Sequence, residues 1–318
     1  MASDRPSEPG RVSVVIAAYN AADTLHEALD SLAQQTFRDL EVIVVDDASA
    51  DATRAVAEAE LSKLAHHRLL ALRVNGGPAA ARNRGIAEAS GEWIAFLDAD
   101  DAWVPWRLEM QMQLVREQPD VALVCGTTID FGAPCAAQPG GARPLRLEEF
   151  ATHNPVATST VLVRRRVVVS VGGFDAQFRG PEDYDLWMRI AARYRAVLMD
   201  AVLARYRHRP GSLSMDERRF LPEVLRVLAK AFRTGGALSA HPALKRRAIA
   251  NQYWNASWMA FNRGARLTAL RYLAAAFSRD RHVGGSLRLP LLWRYLFGRP
   301  VDGQAAGAKR EGGPWTRT

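Results

Sequence analysis

Gly91-Glu-Trp-Ile-Ala-Phe-Leu-Asp98-Ala-Asp100-Asp101 is an apolar run that ends abruptly in three carboxylates. Every residue from Trp93 to Leu97 is apolar, the pattern of a strand covered on both faces, as in a parallel sheet sandwiched between helices. Asp98, Asp100 and Asp101 then crowd together, and their mutual repulsion raises the free energy of the fold unless something positive compensates it. Hard cations take oxygen ligands, and Mg2+ in particular binds through one or two carboxylates plus substrate phosphates. An Asp-x-Asp at the carboxyl end of a parallel strand therefore suggests a metal-diphosphate site. Taken alone, the tripeptide reads equally well as an acidic turn capping the helix that starts near Pro105.

Upstream, the chain repeats one kind of unit. Residues 11–19 read as a buried strand, and Asn20 and Asp23 offer caps before Leu25, Ala28, Leu29 and Leu32 at helical spacing. Residues 40–45 form a second strand running into Asp46 and Asp47, with Ser49 or Asp51 to cap the next helix. A third strand over 69–74 leads into Asn75-Gly76-Gly77, and Pro78 is placed to open another helix. The acidic strand is the fourth, followed by a helix over 105–118. Strand and helix alternating through short connections predict an α/β fold: a Rossmann-like, mostly parallel sheet with helices on both faces. Ligands of such sheets sit at the carboxyl ends of the strands, where Tyr19, Asn20, Asp46, Asp47, Asn75, Asp98 and Asp100 gather.

Downstream, a further apolar strand covers 121–129, and the Gly/Pro/Ala-rich stretch 132–144 reads as an exposed loop. Residues 158–163 and 196–206 have strand character. Between them Glu182-Asp183-Tyr184-Asp185 places carboxylates at a helix start, where the helix dipole alone is sufficient reason for them. From Asp216 the pattern is helical: Phe220, Val224, Leu225, Leu228 and Phe232 mark one helix, Trp254, Trp258, Ala260 and Phe261 a second, and residues 270–277 a third. Residues 288–298 mix Leu, Trp, Tyr and Phe with arginines, the composition of a segment lying in a membrane interface. The expected division is a disordered tail over 1–10, a catalytic domain over 11–215, a basic helical region over 216–300 that associates with membranes or packs on other protein, and a disordered tail over 301–318.

Composition narrows the function classes. With 48% hydrophobic and 24% charged residues, the 318-residue chain is ordinary for a globular protein. Cys125 and Cys135 form no CxxC pair and no His cluster has ligand spacing, which argues against a disulfide scaffold or a zinc site and for a reducing compartment. The polar first ten residues lack the apolar segment of a signal peptide, and no apolar stretch reaches the ~20 residues that span a bilayer. The expected location is cytoplasmic, with peripheral attachment to the inner face of the cell membrane open. The net charge of +8 conceals an asymmetry: residues 1–215 carry 23 Lys/Arg against 28 Asp/Glu, and residues 216–318 carry 19 against 6. A basic segment on an acidic protein reports a separate partner, nucleic acid or an anionic membrane surface.

Six stretches, in order and spacing, resemble the family-2 glycosyltransferases: Val12-Ser-Val-Val-Ile-Ala-Ala-Tyr-Asn20, Gln35-Thr-Phe37, Glu41-Val-Ile-Val-Val-Asp-Asp-Ala-Ser49, Ala81-Arg-Asn-Arg-Gly85, Asp98-Ala-Asp100 and Glu182-Asp183-Tyr184. The resemblance covers roughly residues 11–215. It implies the A-type nucleotide-sugar fold and an inverting transfer of a sugar from a nucleotide-sugar donor to a glycan or lipid-linked acceptor, with Mg2+ or Mn2+ as cofactor. It further implies that the loop at Ala17, Tyr19 and Asn20 faces the nucleotide, that Asp47 accepts a hydrogen bond from the base, and that Arg82 helps hold the nucleotide. Asp98 and Asp100 match the metal motif, with Asp100 the direct ligand and Asp98 also on the nucleotide side. Asp183 matches the catalytic base, with Glu182 beside it. His208 lies in a segment resembling that family's Tyr-Arg-x-His-x-x-Ser stretch, which closes over the diphosphate; metal ligation, a phosphate hydrogen bond and a plain surface position are all open for it. Ala17 departs from relatives with Thr or Ser there, and residues 132–144 match no motif.

Two other classes compete. A nucleotidyltransferase on a related sheet would place a Gly-rich phosphate loop with a basic residue after the first strand, and Ala17-Ala18-Tyr19-Asn20 has neither. A nucleic-acid-binding protein using its basic end is disfavoured by the acidic first part and by the absence of a recognisable nucleic-acid motif.

Overall fold

The structure, a computed structural model, describes residues 8–136, 140–209 and 216–285. The expected disordered tail over 301–318, most of the one over 1–10 and the aromatic, arginine-rich stretch at 288–298 lie outside the described residues. The described chain forms two compact units, exchanging at Arg146/Leu147, Asn154/Pro155 and His208/Arg209.

The first unit is built on a nine-stranded sheet. Four parallel strands, β3 (His67–Ala71), β2 (Leu40–Asp46), β1 (Glu8–Ala18) and β4 (Gly91–Asp98), lie side by side in that order. The register aligns their carboxyl ends, with Ala17 opposite both Val45 and Asp98 and Ala18 opposite Asp46. Strand β1 begins three residues earlier than expected, because Glu8 pairs with Gly91 through a bond from its N–H to Ser90 O. Strand β3 stops at Ala71, short of the expected Val74, because its partner β2 ends at Asp46, whose carbonyl takes the N–H of Leu72.

Beyond β4 the sheet departs from a simple parallel progression. Strand β6 (Val121–Asp130) is not β4's neighbour; the short β8 (Leu162–Arg164) inserts antiparallel between them. Next to β6 come β9 (Arg195–Tyr206), parallel to it, and then β5 (Ala102–Trp103), antiparallel. The stretch read as an exposed loop contains a strand, β7 (Ala142–Pro144), which pairs with β9 at Val197–Met199. Residues 158–160 form a buried 3-10 turn rather than the start of β8, because the Thr160 hydroxyl bonds back to Ala157 O and meets Gly126 N–H.

Alternation along the strands supplies two apolar faces. On one, Val12, Val14, Ile16, Val42, Val44, Trp93, Ala95 and Leu97 pack with α1 (Leu25–Ala33), α2 (Thr53–Leu61) and α4 (Arg107–Glu117) through Leu25, Leu29, Leu61, Leu108 and Met112. On the other, Val15 lies against α3 (Pro78–Glu88) at Gly85, where a Cβ would come within 2.4 Å of a Val15 methyl. Phe96 on that face meets Phe174 edge-on at 5.3 Å and Trp187 of α6 (Glu182–Ala191) at 5.9 Å, just beyond the short α5 (Arg165–Ser170). Full burial of each such side chain stabilises by about 1.5–3 kcal/mol, so the central strands are anchored from both sides.

The second unit is helical, as the sequence predicts: α7 (Glu217–Phe232), α8 (Lys245–Asn262) and α9 (Arg266–Arg279). Asp216 caps α7 by accepting the Arg218 N–H. Fully buried Glu217 pairs with Arg263 past the end of α8, and Trp254, Phe261, Leu273 and Val283 form the unit's core. Among the described residues no helix is long and apolar enough to cross a membrane.

Candidate active site

The site is assembled where β1, β2 and β4 end. The β1–α1 loop turns at Asn20, whose φ of 46° is left-handed, and its side chain pays that turn back by accepting the Ala50 N–H at 2.9 Å. Asn20 N–H donates to Ser49 Oγ and Ala21 N–H to Thr53 Oγ1, so the loops after β1 and β2 are stitched together. Tyr19 projects from this edge 51% exposed, while Ala17 lies half-buried in β1 beside Asp98.

Asp47, expected to meet a nucleotide base, is buried, and its oxygens accept N–H groups from Gly76 and Gly77, each at 2.8 Å. Its carboxylate therefore holds the loop before α3. Gly77 takes φ 82° there, a conformation that costs glycine little, and Pro78 then opens the helix.

That helix delivers Arg82, which is not a plain surface arginine. Its side chain is 10% exposed and its guanidinium forks between Asp98 Oδ1 and Glu182 Oε1, both at 2.7 Å. Burial alone would lower the Arg82 pKa, but Asp98 and Glu182 together raise it, so it is a permanent cation. The neighbouring Asn83 exchanges two hydrogen bonds with the Phe174 backbone. Glu182 also accepts the Gly180 N–H at 2.9 Å and is buried. Its partner in the motif, Asp183, is half-buried, with Oδ1 accepting the Tyr184 N–H at 2.6 Å and Oδ2 accepting the Thr158 hydroxyl at 3.1 Å. Burial, then Glu182, push the Asp183 carboxyl up to about 7, against Arg82 and these two hydrogen bonds. A carboxyl poised there suits a general base at neutral pH.

The three aspartates after β4 have separate environments. Asp101 is buried and accepts the Ser159 hydroxyl at 2.6 Å and the Arg207 N–H at 3.0 Å; burial, then Asp98, push it up to about 8. Asp98 and Asp100 are half-buried, and the Asp100 carbonyl is held by Arg207 Nε at 3.0 Å. Two carboxylates on one turn offer the oxygen donors a hard divalent cation takes when substrate phosphates and water complete its shell. Asp98 and Asp100 fit that role, whereas Asp101 is committed to the fold. His208 Nε2 lies 3.0 Å from Asp130 Oδ1 and its ring packs edge-on against Tyr206. The pairing of Asp130 with Tyr206 at the end of β6 and β9 carries it there. Among the described residues no three His, Cys, Asp or Glu side chains gather into a metal-holding group.

Sequence reading passed over Arg207, Thr158 and Ser159. Arg207 ties Asp100 and Asp101 to Glu27 of α1 at 2.5 Å and covers the Phe131 ring at 3.8 Å. The available signal for the other two was three consecutive hydroxyl residues, Thr158-Ser159-Thr160, within an apolar stretch, because buried hydroxyls need partners.

Comparison with known proteins agrees with this architecture. A family model described as Glycosyl transferase family 2 matches residues 13–167, and one described as Glycosyltransferase like family 2 matches residues 147–251. The amylovoran biosynthesis glycosyltransferase AmsB of Erwinia amylovora is 32% identical over 61% of this chain and 68% of its own length. The UDP-Glc:alpha-D-GlcNAc-diphosphoundecaprenol beta-1,3-glucosyltransferase WfaP of Escherichia coli is 28% identical over 65% of this chain and 80% of its own. The chain spans 58% of the length of a Rickettsia typhi glycosyltransferase to which it is 30% identical. Among solved structures, S. aureus TarS 1–349 in complex with UDP-GlcNAc superposes with a TM-score of 0.65 at 22% identity, covering 90% of this chain and 87% of that one. The mannosyltransferase PcManGT of Pyrobaculum calidifontis, in complex with GDP-Man and Mn2+, gives 0.59 at 26% identity, covering 91% and 79%. The fold is the A-type glycosyltransferase fold.

Proposed function

The chain belongs to glycosyl transferase family 2, and from that membership we propose that it transfers a sugar from a nucleotide-sugar donor to an acceptor hydroxyl by direct, inverting displacement. The observation that carries this reading is the Glu182–Arg82–Asp98 bridge, which brings a raised carboxyl, Asp183, to the same end of the sheet as the Asp98–Asp100 pair. A hydroxyl is a poor nucleophile until a carboxylate takes its proton, and Asp183 is the group for that step, worth about 10²–10⁴-fold. Asp98 and Asp100 would hold Mg2+ or Mn2+ against the donor diphosphate. A divalent cation bound there supplies Lewis-acid stabilisation of the charge on the leaving nucleoside diphosphate. Tyr19 and Asn20, exposed just past the end of β1, would face the nucleotide. Glu182 and Arg82 orient the two halves, and His208 is left to the diphosphate side or to the surface.

The relatives' names point to a class of product. AmsB is named for amylovoran biosynthesis and WfaP for an acceptor on diphosphoundecaprenol, so a polysaccharide or lipid-linked glycan is the acceptor class we assign. An acceptor on a membrane lipid accords with the basic second unit, which would hold the protein at an anionic membrane surface. The test is to screen UDP-Glc, UDP-GlcNAc and GDP-Man for Mn2+- or Mg2+-dependent transfer or hydrolysis. Asp100→Ala is expected to abolish turnover and strongly weaken metal-assisted donor binding. Full activity in that variant, or undiminished activity of the parent protein in excess chelator, rules out the metal assignment.

A further inference from the structure

The turn Thr158–Thr160 reaches both halves of the candidate site. On one side Ser159 Oγ accepts the Asp98 N–H at 3.1 Å and donates to Asp101 Oδ2 at 2.6 Å. On the other, one residue earlier, the Thr158 hydroxyl donates to Asp183 Oδ2 at 3.1 Å. The turn itself is held from behind. Trp103 Nε1 donates to Ser159 O, Gln111 Nε2 to Thr160 O and Arg107 Nη2 to Val161 O, each at 2.9 Å. Arg107 is fully buried and stacks 3.5 Å over the Trp103 ring, so the guanidinium has no freedom to release that carbonyl. Thr158, Ser159 and Thr160 are all buried, and buried hydroxyls need partners.

We infer that Thr158 is the positioning residue for Asp183: its hydroxyl, clamped to the end of β4 through Ser159, sets where the Asp183 carboxylate stands relative to Asp98. The inference rests on the reading of Asp183 as base. Without Thr158, Asp183 Oδ2 loses a donor fixed to the sheet. The charged and titratable groups facing Asp183 include Glu182 and Tyr184 on α6 and Arg82 on α3; Thr158 supplies a neutral hydrogen bond to the ionised form. A donor to the charged form favours it, so removing that donor shifts the Asp183 titration upward.

The experiment compares the full-length parent protein with Thr158→Val, which keeps the shape and removes the hydroxyl, Thr158→Ser, which keeps the hydroxyl, and Thr158→Ala in case the valine fails to fold. Carboxyl 13C NMR of aspartate-labelled protein, with the Asp183 signal assigned from Asp183→Asn, reads the titration without substrate. Steady-state kinetics with whichever of UDP-Glc, UDP-GlcNAc and GDP-Man is turned over reads the pH profile. Thr158→Val is expected to raise the Asp183 midpoint by about one pH unit. The acid limb of kcat should move with it, the donor KM should hold, and Thr158→Ser should match the parent in both. An Asp183 midpoint that does not move in either hydroxyl-free variant overturns the inference. A midpoint that moves while the acid limb stays put upholds the Thr158 contact and instead removes Asp183 as the base.

Discussion

At Asp183, an amide in place of the carboxylate keeps size and most hydrogen bonding but cannot take a proton. Asp183→Asn should therefore lower turnover by about 10²–10⁴-fold while donor binding, followed by calorimetry, survives. Loss of donor binding together with turnover would assign the residue to the nucleotide site or to the fold. The sign of the pH dependence follows from the direction of its shift. Burial and Glu182 hold the Asp183 carboxyl up to about 7, so the base form is depleted below that pH and kcat should rise on going from pH 6 to pH 8. The same shift acts on stability in the opposite direction. The folded protein keeps this proton at pH values where an unfolded aspartate, with a pKa near ~3.9, has lost it. Stability from this group is thus fully present below the unfolded value and declines as pH rises through the folded one. Urea denaturation at several pH values should show Asp183→Asn gaining on the parent as pH rises; parallel curves would contradict the raised carboxyl.

At the scale of elements, the packing of α3 on β1 decides whether Arg82 reaches its two carboxylates. A methyl at Gly85 would stand 2.4 Å from Val15, so Gly85→Ala should cost about 1–3 kcal/mol in urea denaturation and lower activity by displacing α3. Unchanged stability would show that α3 can lift off β1 without loss. The alternation from β1 to β4 was legible because each strand is a short apolar run bounded by turn residues; Asp98 and Asp100 stood out as carboxylates crowded behind an apolar strand, whereas Asp183 was singled out only by the family resemblance. The insertion of β8 and the pairing of β7 were not legible. Three-residue strands carry too little periodicity, and their neighbours are chosen by partners far along the chain. The Arg82–Glu182 pair was hidden for the same reason, since each residue has an ordinary local explanation on its own helix. The neighbour of His208, Asp130, was likewise hidden, because the pairing of β6 with β9 brings it there.

For the whole molecule, the division of charge is the informative quantity: net −5 over residues 1–215 and +13 over residues 216–318. Lys245, Arg246 and Arg247 open α8 exposed, and Arg219, Arg233, Arg266 and Arg271 are exposed as well. Basic residues near an anionic leaflet contribute about 1 kcal/mol each, so the protein should co-sediment with liposomes in proportion to anionic lipid. Attraction of this kind weakens in 1 M salt, where the Debye length is ~3 Å, whereas inserted aromatic side chains would resist the wash. Comparing the chain with one ending at Arg281 separates the helices from residues 282–318. Equal partitioning of the two would assign the attraction to the helices, and no dependence on anionic lipid would return the basic segment to packing or a protein partner.

The insertion of β8 between β4 and β6 also bears on how the protein is made. Synthesis delivers β6 before either of its sheet neighbours, β8 and β9, exists, and leaves β4 with one bare edge for the same interval. A nascent chain that has emerged only as far as residue 130 thus presents apolar strands with unsatisfied backbone, the condition under which strands of different molecules join. Premature termination in that window yields a chain predisposed to aggregate, not a smaller transferase.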